Sequence, residues 1–218
     1  MSSSESSQIV HIPVESVVLE GVLDVPQGAQ ALVIFAHGSG SSRHSRRNRY
    51  VAKVLLEVNL ATLLFDLLTK EEDLIYGNRF DIPLLAKRLS SVTRWVKKQP
   101  QARNLKIGYF GASTGAAAAL VAAAEPTSEV DAIVSRGGRP DLAEKYLHLV
   151  AAPTLFIVGG DDYIVSQLNQ QAYNFLKVKK ELQIIPGASH LFEEPGALEQ
   201  VAHLAAEWFN KHLLKKRE

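Results

Sequence analysis

Cysteine is absent from the 218 residues of this sequence. Its absence excludes disulfide bonds, thiolate metal ligands and a cysteine nucleophile. No apolar run approaches the ~18 residues that a helix needs to cross a bilayer, so no membrane partner is predicted. The formal net charge of +1 is too small to indicate a nucleic-acid partner. Clusters of metal-ligating residues and a glycine-rich phosphate loop are also missing, so we expect neither a metal nor a cofactor.

The sequence does contain enough apolar material for one folded domain. Hydrophobic residues make up 46% of the chain, and no linker-like stretch divides it. We therefore predict a single domain over residues 9–218. The first eight residues, MSSSESSQ, are polar and lack the apolar segment of a secretory signal. Residues 1–8 are predicted to be a disordered tail, and the protein is expected to be cytoplasmic.

The pattern of apolar runs predicts a mostly parallel sheet. An N-terminal hairpin is followed by strands and helices in alternation, which places helices on both faces of such a sheet. Ligands of these sheets bind at the carboxyl ends of the strands. The predicted strands cover residues 8–13, 16–24, 31–36, 60–65, 105–110, 130–135, 154–158 and 182–185. The predicted helices cover residues 46–58, 80–98, 113–124, 142–149, 167–176 and 197–214, and residues 67–78 are predicted to form a polar loop.

A lone serine between two glycines lies at the seam between a predicted strand and a predicted helix, in the sequence Gly111-Ala112-Ser113-Thr114-Gly115. This G-x-S-x-G spacing is typical of a nucleophile elbow, a sharp turn that points the serine hydroxyl off the end of the sheet. A side chain at Gly111 or Gly115 would collide with the neighbouring strand or helix. The alternative is a serine that only caps the helix. We predict that Ser113 is a nucleophile.

A serine nucleophile needs a base and a group that orients the base. Of the seven histidines, His190 follows the last predicted strand through a turn, which places it at the carboxyl edge of the sheet. The strand 154–158 ends in Gly159-Gly160-Asp161-Asp162. Either aspartate could orient the histidine, and the other would then have only a role in the turn.

The negative oxygen of a tetrahedral intermediate needs backbone donors. One is predicted to be the N–H of Thr114, the residue after the nucleophile. The other is predicted to be the N–H of Ser39, in the loop that follows the strand 31–36. His37 is predicted to hold this loop at the substrate site by hydrogen bonds and not to act as a base.

Three further predictions concern contacts with the substrate. Arg136 or Arg139, after the strand 130–135, could pair with a substrate carboxylate. The alternative is a structural arginine that binds loop carbonyls. Leu191 and Phe192 are predicted to wall a shallow, open cleft beside His190.

These motifs together resemble the α/β-hydrolase superfamily: HGSG after a strand, GASTG, GGDD followed by Val165, and GASH. More closely, the chain is similar to the dienelactone-hydrolase-related branch over about Val10 to Leu213. The resemblance implies an α/β-hydrolase fold: a mostly parallel eight-stranded sheet with helices on both faces and no cap domain. It implies that Asp162 is the acid, because the superfamily pattern G-x-x-D-x-x-V/P fits Gly159, Asp162 and Val165. Dienelactone hydrolase itself uses a cysteine nucleophile, whereas this chain has Ser113.

We therefore expect a serine hydrolase that cleaves small carboxylic esters through an acyl-serine intermediate, with Ser113, His190 and Asp162 as its catalytic triad. The expected partner is a small-molecule ester. A thioesterase or a small acyl-peptide hydrolase would use the same triad with a different pocket. A non-catalytic or very slow ligand-binding protein of the same fold is a further alternative. Such proteins usually lack one member of the triad, and this sequence contains all three.

Overall fold

Eight strands form one sheet in the computed structural model, which describes residues 7–214. They are hydrogen-bonded in the order β1-β2-β4-β3-β5-β6-β7-β8, where the strands are β1 (Gln8–Val14), β2 (Val17–Asp24), β3 (Ala31–Ala36), β4 (Ala61–Phe65), β5 (Lys106–Ala112), β6 (Val130–Arg136), β7 (Thr154–Gly159) and β8 (Lys180–Ile185). The pairs β1–β2 and β2–β4 are antiparallel, and the other pairs are parallel. The predicted hairpin and the mostly parallel eight-stranded sheet are therefore confirmed.

Helices cover both faces of the sheet. They are α1 (Arg46–Glu57), α2 (Lys70–Asp73), α3 (Ile82–Val96), α4 (Thr114–Ala123), α5 (Tyr163–Phe175) and α6 (Ala197–Leu213), with 3-10 segments at Tyr76–Phe80 and Pro140–Leu149. Helices α1 and α6 share one hydrophobic core with the sheet, and α3, α4 and α5 share the core on the opposite face. Strand β5 contributes to both cores, because Tyr109 and Phe110 point to opposite faces as the two-residue period of a strand requires.

Most element boundaries differ from the prediction by one or two residues, and three elements differ in type or by more. The predicted helix 142–149 is a 3-10 segment that begins at Pro140, and the predicted loop 67–78 contains the short helix α2, which Thr69 and Glu72 cap reciprocally. Helix α5 begins at Tyr163 and not at residue 167. Tyr163, Ile164 and Val165 are three consecutive apolar residues of which only Val165 is buried, so the first turn of α5 does not show the apolar spacing of a helix.

The described residues stop short of both ends of the chain. Gln8 is already the first residue of β1, while residues 1–6 of the predicted tail and residues 215–218 lie outside the described part. The domain boundaries 9–218 accordingly stay a prediction. Over residues 7–214, no cap domain interrupts the alternation of strands and helices. None of the helices in this range combines the length and the apolar character that a membrane span needs.

Candidate active site

Ser113 occupies a strained turn between β5 and α4. Its φ is 52° and its ψ is −121°, a conformation that costs a non-glycine residue roughly 1–3 kcal/mol and that is found mostly at functional sites. The loop after β6 holds the turn from both sides. The N–H of Ser113 donates to the carbonyl of Arg136 over 3.3 Å, and the carbonyl of Ser113 accepts from the N–H of Arg139 over 3.1 Å. The serine hydroxyl therefore stands at the carboxyl end of the sheet.

The two glycines of the motif lie where backbones pack too closely for a side chain. A Cβ at Gly111 would lie 2.4 Å from the Cα of Ala116, and a Cβ at Gly115 would lie 2.2 Å from the carbonyl oxygen of Ala36. Contacts below 3.0 Å do not occur for real Cβ atoms. The glycines thus allow α4 to begin directly behind the end of β3, which brings Ser113 next to the loop that follows β3.

His190 and Asp162 are joined by a short hydrogen bond. The Nδ1 atom of His190 lies 2.6 Å from Oδ2 of Asp162. Gly159 makes this contact possible, since a Cβ there would lie 2.3 Å from the carbonyl oxygen of Ala188 in the histidine loop. The neighbouring Asp161 is exposed, and its backbone N–H donates to the same carbonyl over 3.0 Å. Of the two aspartates, the structure places Asp162 against the histidine.

Ser113 and His190 line one cleft of about 250 Å³ together with Arg136 and Leu191. Among the described residues, no hydrogen bond joins the Ser113 hydroxyl to the His190 ring. Such bonds are often long in enzymes without substrate and shorten when the substrate binds. In the same part of the chain, no group of three or more histidine, aspartate or glutamate side chains could hold a metal ion.

The two predicted oxyanion donors lie side by side, but one of them is engaged. The N–H of Ser39 donates to Oγ1 of Thr114 over 2.9 Å, so it must leave this hydroxyl before it can bind an oxyanion. The loop itself lies against the nucleophile, because a Cβ at Gly38 would be only 3.1 Å from the Cβ of Ser113. Sequence reasoning missed the role of the Thr114 side chain. The signal was a hydroxyl side chain directly after the nucleophile.

His37 holds the same loop through both of its ring nitrogens. Its Nε2 accepts from the N–H of Leu67 over 3.1 Å, so the proton resides on Nδ1, which lies 2.9 Å from the carbonyl of Gly38. Burial lowers the pKa of His37 and stabilises this neutral form. Both ring nitrogens are engaged in holding the loop, as predicted, and neither is free to contact a substrate directly.

The two residues after His190 have different surroundings. Leu191 is 38% exposed and lines the cleft, as predicted. Phe192 is only 1% exposed and belongs to the core beneath α6, so its predicted place in the cleft wall is wrong. The reason is a tight turn: the N–H of Phe192 donates to the carbonyl of Ser189, and Phe192 takes a positive φ of 56° that directs its ring inward.

The two candidate arginines also differ. Arg139 makes a bidentate pair with Asp141, with distances of 2.9 and 2.7 Å, which occupies its guanidinium. Arg136 lines the cleft and is 6% exposed. Its guanidinium carbon lies 5.7 Å from the centre of the Phe192 ring beneath it. Arg136 is thus the arginine with a guanidinium next to Ser113 and His190.

A mostly parallel eight-stranded sheet with a serine elbow after β5 defines an α/β-hydrolase fold. The crystal structure of dienelactone hydrolase from Anabaena variabilis superposes with a TM-score of 0.93 at 56% identity, over 96% of this chain and 99% of that one. An α/β serine hydrolase homologue from Coxiella burnetii, at 21% identity, shares the fold with a TM-score of 0.78 over 94% of this chain and 99% of its own. The model of the dienelactone hydrolase family matches residues 61–214. The chain belongs to the dienelactone hydrolase family.

A protein of Mycobacterium tuberculosis is 59% identical over 209 residues, which are 96% of this chain and 46% of that protein. The chain therefore spans about half the length of the curated relatives it matches. The mycobacterial protein carries the provisional name phosphoribosyl transferase. The family match and the Anabaena structure support a hydrolase.

Proposed function

We propose that this chain is a serine hydrolase that cleaves small carboxylic esters through an acyl-serine intermediate. One observation carries the proposal: His190, hydrogen-bonded to Asp162 over 2.6 Å, shares a cleft with a serine held at a positive φ of 52°. A serine that only caps a helix needs neither the strained turn nor an oriented histidine beside it. The arrangement is the one that nucleophilic catalysis requires.

The proposed reaction assigns one role to each side chain. The Ser113 hydroxyl attacks the ester carbonyl carbon while Nε2 of His190 takes its proton. Asp162 accepts a hydrogen bond from Nδ1, which holds the ring in the correct tautomer and stabilises the imidazolium that forms. His190 then gives its proton to the leaving alkoxide, and the C–O bond breaks to leave an acyl-serine. A water molecule, deprotonated by His190, attacks the acyl carbon and releases the acid and the free serine.

The oxyanion of each tetrahedral intermediate would bind the N–H of Thr114 and the N–H of Ser39. Thr114 begins α4, so the positive end of that helix also faces the oxyanion. The N–H of Ser39 has to exchange the Thr114 hydroxyl for the oxyanion during the reaction. Because the oxyanion carries charge, it is a stronger acceptor than a neutral hydroxyl, and the exchange is favourable.

The cleft volume favours small substrates. The cleft volume of about 250 Å³ lies just below the usual range of small-molecule sites, which is about 300–1,000 Å³. Thioesterases and small acyl-peptide hydrolases would use the same side chains, so parallel assays with a thioester and an acyl peptide decide between these classes. The name phosphoribosyl transferase belongs to relatives of which this chain covers 46%, and the histidine–aspartate pair beside the serine elbow favours hydrolysis for this half.

A fluorophosphonate probe tests the proposal directly. It should label the protein once, and peptide mapping should place the label on Ser113. Ser113→Ala should abolish both the labelling and the hydrolysis of p-nitrophenyl acetate. Ser41→Ala is the matched control, because Ser41 lines the same cleft without an elbow, and it should retain both.

Labelling that persists in Ser113→Ala would contradict the nucleophile assignment. A folded wild-type protein that neither reacts with the probe nor cleaves any ester, thioester or acyl peptide would instead indicate the non-catalytic alternative. Circular dichroism of each variant separates these outcomes from a loss of folding.

A further inference from the structure

Arg136 is buried beside the candidate active site without a counter-charge. It is 6% exposed, and among the described residues no carboxylate pairs with it. Its side chain makes one long hydrogen bond, 3.4 Å from Nη2 to the amide oxygen of Asn48, and its Nε has no partner within the described chain. A buried charge is strongly unfavourable unless it is paired. The surroundings of Arg136 therefore lack the anion that would stabilise it.

Two other arginines that are largely buried have carboxylate partners. Arg43 binds both Asp66 and Glu20, and Arg88, equally buried, binds Glu72 over 2.6 Å. Each of these two guanidiniums is thus stabilised by at least one carboxylate. Arg136 departs from that pattern at the position that faces the cleft of Ser113.

A second arginine adds positive charge to the same cleft. Arg47, in the first turn of α1, lines the cleft and pairs with Glu193 over 3.0 Å, but the Glu193 side chain is 65% exposed and its charge is largely screened by water. The Nε of Arg47 has no partner within the described chain. Both arginines line the same cleft. Burial, and to a smaller extent the charge of Arg47, lower the pKa of Arg136 to about 10.

The N-terminus of α1 points its dipole at the same cleft. Helix α1 has 12 residues, begins after Ser45, and carries no acidic residue in its first turn. A helix start usually favours carboxylates there, because its free N–H groups carry partial positive charge. In this chain the first turn carries Arg46, Arg47 and Arg49 instead. The Ser45 hydroxyl caps the N–H of Asn48, and the N–H groups before it are left to attract an external anion.

We propose that Arg136, Arg47 and the N-terminal turn of α1 bind a phosphate group of the substrate that Ser113 attacks. The inference rests on the proposed function, because it makes the anion part of the ester. A phosphate suits the site better than a carboxylate, since it has three terminal oxygens in a tetrahedral arrangement and up to two negative charges, whereas a carboxylate has two oxygens in one plane and one charge. Two guanidiniums from different elements and a helix end offer donors in several directions, which match the terminal oxygens of a tetrahedral dianion.

Three aryl acetates that differ only at the para position test the proposal: 4-methylphenyl acetate, 4-acetoxybenzoate and 4-acetoxyphenyl phosphate. For the wild-type protein at low salt, we expect kcat/KM for the phosphate ester to exceed that for the methyl ester at least tenfold, and to exceed that for the carboxylate as well. Arg136→Met should reduce this preference, measured within the variant as the ratio of kcat/KM for the phosphate ester to kcat/KM for the methyl ester, to below threefold.

Two further variants make the comparison specific. Arg47→Gln, at a half-exposed position that tolerates substitution, should lower the phosphate preference about threefold or more without a cavity in the core. Lys53→Gln is the matched control, because Lys53 is exposed on the same helix beyond its first turn and outside the cleft, and its loss changes the net charge equally. It should leave the preference unchanged.

A binding measurement tests the phosphate site without requiring that any ester is hydrolysed, so it can support or overturn this proposal independently of the proposed esterase activity. Calorimetry with phenyl phosphate should show binding to the wild type and to Ser113→Ala. Binding should be at least tenfold weaker to Arg136→Met and at least threefold weaker to Arg47→Gln. That result supports the phosphate site even if no ester is cleaved. Equal loss of all three ester activities in a folded Arg136→Met would overturn the proposal, as would a preference for the carboxylate ester or a wild type that does not bind phenyl phosphate.

Discussion

Replacement of Asp162 by asparagine is the sharpest test of the candidate triad, because the neighbouring Asp161 provides a control of identical chemistry. Asp162→Asn keeps the size of the side chain and removes its charge. An asparagine that turns its amide nitrogen toward His190 would also hold the ring in the wrong tautomer. Asp161→Asn makes the same change one residue earlier, on an exposed side chain that lies away from the ring.

The expected loss follows from the geometry of the pair. During the reaction the charge centres of the His190 imidazolium and the Asp162 carboxylate are about 4 Å apart. At that distance the attraction between the two charges is about 1 kcal/mol in bulk water and about 4 kcal/mol at an effective dielectric constant of about 20. The side chains of Asp162 and His190 are 16% and 39% exposed, so the pair is partly shielded from water. The rate should therefore fall by about a hundredfold to a thousandfold, less than the about 10⁴ of a chymotrypsin-type triad.

The assay is kcat for p-nitrophenyl acetate, measured for wild type, Asp162→Asn and Asp161→Asn at one pH. Asp161→Asn should retain at least a third of the wild-type rate. Near-equal rates for wild type and Asp162→Asn would refute the assignment of the acid, and a large loss confined to Asp161→Asn would transfer the role to that residue. Retained fluorophosphonate labelling in the slow variant would show that the serine is still in place.

Three other perturbations have defined outcomes. Gly115→Ala should lower the free energy of unfolding, measured by urea denaturation, by about 3 kcal/mol or more, because its Cβ would lie 2.2 Å from the Ala36 carbonyl oxygen. In the control Gly77→Ala the new Cβ has no atom within 4 Å, and the free energy of unfolding should change by less than about 0.5 kcal/mol. His37 has a lowered pKa in the fold, so the unfolded chain binds more protons as pH falls below about 6.5. Stability should then decrease toward acid, and less so in His37→Asn. Across p-nitrophenyl esters, kcat/KM should rise by about fourfold per CH₂ from acetate to butyrate. The increase should end there, because longer acyl chains outgrow a cleft of about 250 Å³, and a steady rise to long chains would contradict the small cleft.

Sequence reasoning succeeded where a single strong rule applied. The carboxyl ends of parallel strands meet at one edge, so residues directly after β5, β7 and β8 had to come together there. Ser113, the aspartate pair and His190 were found in this way. The choice between the two aspartates depended on a resemblance, because both follow the same strand and only the direction of the side chain separates them.

The errors fall where tertiary packing decides the direction of a side chain. Phe192 follows His190 on an exposed loop, but one residue with a positive φ turns it into the core. The bond between Ser39 and Thr114 joins residues 75 positions apart and depends on the close approach that Gly115 permits. Periodicity and motif spacing contain no information about either feature, because both follow from contacts between loops.

The same contacts link the stability of the fold to the geometry of the site. Three backbones approach within a distance that only glycine allows, at Gly111, Gly115 and Gly159, and each approach positions one candidate catalytic loop. The fold thus holds the serine, the oxyanion loop and the histidine loop by its tightest packing, which limits their freedom before a substrate binds. Two features beside the same cleft are unfavourable for folding: the positive φ of Ser113 and the buried guanidinium of Arg136, which has no carboxylate partner among the described residues. The proposed nucleophile and the proposed phosphate site would account for both, because strain and unpaired charge are expected where function requires them.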